Sequence, residues 1–152
     1  MKLIFKRILF YFISFTWGFI TSFIGLLGIA LLAPFKRVHA WHGRLYGICP
    51  ACFGEGWGFE MGCFWFVSND CYPRSTGLDS EFMGHEAGHG LQNCVFGPFM
   101  LLIVSIPSMI RFWYRELHFY RKGKQPTTGY DDIWFEGTAT ALGKKFIITD
   151  KI

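Results

Sequence analysis

Residues 82–93 read FMGHEAGHGLQN, and within them His85, Glu86 and His89 stand in the order H-E-x-x-H. On a helix, positions four apart lie one turn apart on the same face. Both imidazoles would then reach one point, each with a nitrogen within the roughly 2.0–2.1 Å that a zinc ion takes. Glu86 points about 100° round the helix, too far to complete the same tetrahedron. Its carboxylate is left to hold a water and to take its proton as that water attacks a carbonyl. With 5 His in the chain, chance yields this pattern about once in 150 such chains. The plain alternative is a surface helix carrying two His and a Glu. Gly84, Gly88 and Gly90 each cost a helix about 1 kcal/mol against Ala. Such losses are tolerated where another element must approach closely.

Asp79 and Ser80 are both good N-caps and Glu81 suits a first turn, so a helix is predicted from 79 or 80 to 93. Gly97-Pro98 then stops or sharply bends the chain. A third ligand is still needed. The metzincin continuation would place Gly and His where this chain has Gln92 and Val95, which excludes that class. A carboxylate from a later helix is the remaining option. Residues 130–146, YDDIWFEGTATALGKKF, supply Glu136 on a predicted helix that Asp131 or Asp132 would cap. Gly137, Thr138 and Ala139 follow it, small enough to pack tightly on the Gly-rich motif helix. Glu116 and His118 are rival ligands, and a solvent-exposed Glu136 is the bland reading.

His85-Glu86-x-x-His89 followed by Glu136-x-x-Ala139 resembles membrane-associated gluzincin-like zinc metallopeptidases. These include prenyl-protein and heat-shock-type membrane proteases, whose pattern is H-E-x-x-H then E-x-x-A-D. The chain looks closer still to small bacterial membrane proteins with HE-x-GH-x-LQ, a Gly-Pro, a PS and a later aromatic-Glu helix. The matching stretches span residues 57–143. The resemblance implies one Zn2+ held by His85, His89 and Glu136, with Glu86 as general base and then acid, and a peptide or protein as substrate. It also implies that an edge strand before the motif helix, Phe59 to Phe66, binds extended substrate by strand addition; a plain core strand is the other reading. One position departs. The family Asp four residues after the ligand Glu, which steadies a ligand His, is Thr140 here. A hydroxyl is a weaker partner, and such losses cost about 10–100-fold in affinity or activity. Asp131 or Asp132 would be the substitute. The departure keeps a second reading open, a catalytically inactive membrane zinc-binding or partner-binding protein. An oxyanion donor is also required, with His118, Tyr130 and Arg115 as candidates.

The surrounding chain must position these groups. Hydrophobic residues make up 51%, aromatics 20% and charged residues only 17%, where soluble proteins carry about 25% charge. That composition points to a lipid bilayer as partner and to a membrane location. No basic stripe with interleaved aromatics is present, so nucleic acid is excluded. Residues 8–33 carry no charge and would make a helix of about 39 Å, enough to cross a core of about 30 Å with tilt. A signal sequence, with VHA at 38–40 as cleavage site, is the rival, but its apolar region is usually only about 7–15 residues. Thr21, Ser22, Gly25 and Gly28 are read as lowering hydropathy rather than as a close contact between helices. Residues 94–110 form a second apolar run, broken by Gly97, Pro98 and Pro107 and better suited to a re-entrant or interfacial segment than to a span. The basic residues that follow it favour the cytoplasm for the C-terminal third. If His85, His89 and Glu136 share one ion, both flanks of this run must return to the same place.

Residues 57–70 are predicted as one strand, with Gly62 marking a bulge or a close backbone approach. Cys49, Cys52, Cys63, Cys71 and Cys94 are read by default as buried or free thiols, with a disulfide or a four-thiolate zinc site as alternatives. The expected fold is α+β and mainly α. It comprises a transmembrane anchor over 1–35 and a zincin-like domain over 36–152 with a short β-sheet, the H-E-x-x-H helix and the apolar segment 94–110.

Overall fold

Two tight turns between residues 38 and 67 set up a four-stranded sheet. In the computed structural model, which describes residues 2–50, 56–69 and 80–145, β1 (Val38–Trp41) and β2 (Arg44–Ile48) form an antiparallel hairpin. His42 and Gly43 turn it with φ of 48° and 78°, the paired positive values of a two-residue hairpin turn. β3 (Gly58–Met61) and β4 (Phe64–Val67) form the second hairpin. β2 and β4 run parallel, giving the order β1-β2-β4-β3. Residues 57–70 are thus a hairpin rather than the single strand expected, and residue 70 lies outside the described residues. Gly62 makes the turn, because its φ of +75° suits Gly alone and a Cβ there would overlap Ser22. The close backbone approach expected of Gly62 is found, while a hairpin turn stands in place of the bulge.

Alternation splits the sheet into two faces. Phe64 and Phe66 pack with Phe10 and Ile29, which belong to α1 (Lys2–Thr16) and α2 (Phe19–Leu32). Tyr46, Ile48, Trp65 and Val67 pack with Met83 and Ala87 of α3 (Ser80–Phe96). Beyond α3, a 3-10 turn at Gly97–Phe99 and a π-helical turn at Leu101–Ser105 lead into α4 (Ile106–His118). A further 3-10 turn, Tyr130–Asp132, precedes α5 (Trp134–Leu142). Asp132 closes that turn by accepting from the Gly129 N–H at 2.7 Å, instead of capping α5. The chain is α+β and mainly helical, with one four-stranded sheet.

The continuous helix expected over 8–33 is two helices. They meet at Trp17-Gly18, and the halves Ile4–Thr16 and Phe19–Phe35 bend by 101°. No single helix among the described residues is long and apolar enough to cross a membrane. The bend has tertiary causes. A Cβ on Gly18 would overlap the Asn93 amide, Thr21 donates to Asn93 Oδ1 at 2.6 Å, and Ser22 donates back to the Ser14 carbonyl at 2.8 Å. Gly25 and Gly28 do make a close contact, against Met61, Phe64 and Phe66 of the sheet. Their smallness therefore serves packing, contrary to the expectation that they only lower hydropathy. Arg44, buried beside α1, stacks over Phe10 at 3.9 Å and donates to the Ala87 carbonyl at 3.0 Å. That one side chain ties α1, the sheet and α3 together.

Residues 94–110 turn back, as expected if both flanks of the run meet at one place. Glu81–Phe99 and Leu101–Lys122 bend by 116°, pivoting at Gly97, whose φ is +54° and whose missing Cβ makes room for the Trp17 indole. Cys63 and Cys94 keep free thiols; burial pushes Cys63 up to about 12, which leaves it unreactive. Cys52, Cys71 and the candidate cap Asp79 lie outside the described residues.

Candidate metal centre

α3 carries His85 and His89 one turn apart, with ring centroids 4.8 Å from each other. α5 lies across α3 in backbone contact. A Cβ at Gly88 would overlap the Ala139 carbonyl, and one at Gly143 would overlap the Gly84 carbonyl. Whereas a Cβ on Gly90 would meet the Arg44 guanidinium, Gly88 of the motif helix therefore lets α5 come close. This approach delivers Glu136, fully buried at 0% exposure, to the imidazoles. Its Oε2 lies 3.2 Å from Nε2 of both His85 and His89. The three residues offer ligand atoms within 4.8 Å of one another, the only such group among the described residues. The rivals are engaged elsewhere: Glu116 pairs with Arg121 at 3.4 Å, and His118 stacks on Tyr114 at 4.5 Å.

Each group in the trio is held from behind. Thr140 Oγ1 sits 2.7 Å from His85 Nδ1, so the hydroxyl at the departing position does meet the first His of the motif. His89 Nδ1 lies 2.7 Å from Gln92 Oε1. The Gln92 amide nitrogen donates to the Phe135 carbonyl and to Thr138 Oγ1, each at 2.7 Å, which fixes Oε1 as the end facing His89. Ser108 of α4 donates to Glu136 Oε1 at 2.5 Å and leaves Oε2 for the imidazoles. Sequence reasoning missed Gln92 and Ser108 as supports. For Gln92 a signal existed, since it stands three residues after His89 and so on the same face. Ser108 was visible only as part of a PS pair, and its partner lies 28 residues away.

The donor set fits a divalent ion. Because Gln92 Oε1 accepts, His89 Nδ1 carries the hydrogen and Nε2 is the nitrogen turned to Glu136 Oε2. Two imidazole nitrogens and one carboxylate oxygen thus meet at a single buried point, which shared protons or a cation would hold together. A proton would relieve one imidazole; an ion with open positions would take both imidazoles and the carboxylate. Burial alone would raise the Glu136 carboxyl, but its contacts with His85, His89 and Ser108 outweigh burial and hold it down at about 2. Burial lowers His85, yet the Glu136 and Glu86 carboxylates more than offset this and raise it. Replacing the partner behind His85 is the direct check on its support: Thr140→Ala is expected to weaken zinc binding about tenfold, read by competition with a chromophoric chelator, with the fold unchanged.

Glu86 stands apart from the trio, as its angle on the helix requires. It is buried, it lies against β3 (a Cβ on Gly58 would come within 2.8 Å of Glu86 Oε1), and burial raises its carboxyl above the ordinary value. A cavity of about 420 Å³ opens in front of His85, Glu86 and His89. One wall is β3, which is an edge strand of the sheet; β4, the other half of the expected substrate strand, is interior. The opposite wall is apolar, formed by Met100, Val104, Met109, Phe112 and Trp113. Of the three oxyanion candidates, Tyr130 alone lines this cavity. Its ring lies 6.1 Å from that of His85, and burial and the Glu136 carboxylate keep its hydroxyl protonated. Arg115 instead donates to the Thr128 carbonyl at 2.9 Å and supports Tyr130 from behind, 5.6 Å from its ring. Compared with family models, with curated proteins and with solved structures, the chain finds no match.

Proposed function

We propose that this protein is a membrane-associated zinc-dependent hydrolase, a peptidase acting on extended segments with bulky apolar side chains. The observation that carries the reading is the buried convergence of His85 Nε2 and His89 Nε2 on one Glu136 oxygen, 3.2 Å from each. One Zn2+ would be held by His85, His89 and Glu136, and when bound it would act as a Lewis acid toward water and the scissile carbonyl. The chain's own groups divide the rest. An extended peptide lies along the outer edge of β3, with its backbone paired to that strand. Its apolar side chains fill the wall formed by Met100, Phe112 and Trp113. Glu86 takes a proton from the attacking water as the carbon–oxygen bond forms, then gives it to the amine nitrogen as the carbon–nitrogen bond breaks. Tyr130 donates its hydroxyl hydrogen to the carbonyl oxygen as negative charge develops there. The lipid bilayer is the proposed location, supported by the many exposed large apolar side chains on α1, α2 and α4.

Quenched-fluorescence peptides with aromatic and aliphatic residues flanking one bond test this. Cleavage is expected in mild detergent, stopping with a zinc chelator and returning on added zinc, while peptides with charged residues at those positions stay intact. Equal cleavage with and without chelator would overturn the reading. Thr140 at the position of a carboxylate favours one alternative, a zinc-binding protein without turnover; this predicts no cleavage of any peptide, with zinc bound.

A further inference from the structure

The two charge-free runs, 8–33 and 94–110, each fold at a sharp elbow, and the elbows touch. Trp17 donates its indole N–H to the Val95 carbonyl at 3.3 Å and fills the space beside Gly97. Thr21 bonds Asn93 at 2.6 Å. Around this junction Phe12, Phe19, Phe23, Val95, Phe99 and Leu102 are all exposed. At the junction the Trp17 indole N–H, the Thr21 hydroxyl and Asn93 Oδ1 find partners inside the protein, whereas Asn93 Nδ2 is buried without one. Charge lies at the far ends of the arms: Lys2, Lys6 and Arg7 open the first, Lys36 and Arg37 close it, and Arg111 follows the second.

From this we infer that both elbows dip together into one leaflet of an anionic bilayer, so that neither run crosses it. This rests on the membrane association proposed above and replaces a spanning anchor with a double wedge. Length agrees. The arms α1 and α2 have 15 and 14 residues, each roughly 21–22 Å. Folded by 101°, they reach about one leaflet deep rather than through a core of about 30 Å. The basic ends then lie at headgroup level, where each cation gains from anionic lipid. His89 precedes Phe96, the last residue of α3, by roughly 10 Å of helix. The metal centre is thereby set near the headgroups, within reach of peptide leaving the membrane.

The test uses the wild-type chain bound to sealed phosphatidylcholine–phosphatidylglycerol vesicles. Flotation reads binding. A membrane-impermeant amine reagent, followed by mass mapping, reads which of the exposed Lys6, Lys36 and Lys124 share a face. Flotation with all three labelled from the same side is the expected result. Phe19→Asp and Phe99→Asp should each weaken flotation about tenfold or more, with zinc content unchanged as proof of folding. Lys6 and Lys36 labelled from opposite sides would overturn the double wedge and leave membrane association standing. Absence of flotation would overturn both, and zinc content would still judge the metal centre separately.

Discussion

Glu86→Gln is expected to retain about one zinc per chain and to lose peptide cleavage by about 10²–10⁴-fold, the usual contribution of a positioned general base. The two outcomes separate because Glu86 is not part of the convergent trio. The atoms that could hold an ion belong to His85, His89 and Glu136, while the Glu86 carboxylate faces β3 and the cavity. Gln matches Glu in size and fits the same space, so packing under α3 is kept. It accepts no proton from water, so the kcat term falls while apolar binding in the cavity, and with it KM, changes little. Parallel loss of zinc and activity would mean that Glu86 helps to hold the ion, and the division of roles would be wrong.

The second large effect is on stability. Gly88→Leu is expected to destabilise the fold by about 3 kcal/mol, read as a lower midpoint of thermal unfolding in mild detergent. A side chain at Gly88 meets the Ala139 carbonyl, a backbone group that cannot rotate away. α5 would have to move off α3, taking Glu136 from His85 and His89 and Thr140 from His85, so zinc affinity should fall with stability. Gly123→Ala is the control. A Cβ there meets nothing, and only its φ of +64° is strained, at a cost of about 1 kcal/mol. Equal losses in the two variants would show that α3 and α5 do not depend on this contact.

Much of the candidate site was legible because its logic is local. His85 and His89 share a helix face by spacing alone, and Gly88 beside small residues after Glu136 announced two helices in close contact. The bend at Trp17-Gly18 was not legible, because its causes lie far along the chain: Thr21 is 72 residues from Asn93, and no charged residue marks the break within the run 8–33. Gly62 shows a different limit. Its type signalled a bulge or a close backbone approach; the packing of Ser22 against it is the second, and a turn in place of the bulge makes the one expected strand a hairpin. Ser108 sits in a run that reads by composition as lipid-facing. That its hydroxyl reaches Glu136 depends on the 116° reversal at Gly97–Phe99, which the Gly-Pro pair marks without giving its angle. The oxyanion candidates were equal until α4 and the turn at Tyr130–Asp132 placed Tyr130 in the cavity and Arg115 behind it.

The most direct measurement is the zinc content of protein purified in mild detergent without chelator, for the wild type, His85→Ala and Glu136→Ala. About one zinc per chain is expected in the wild type, with clear loss in both variants. Zinc kept by Glu136→Ala would contradict the assignment of the third ligand. No zinc in the wild type, even after it is added back, would contradict the metal centre itself.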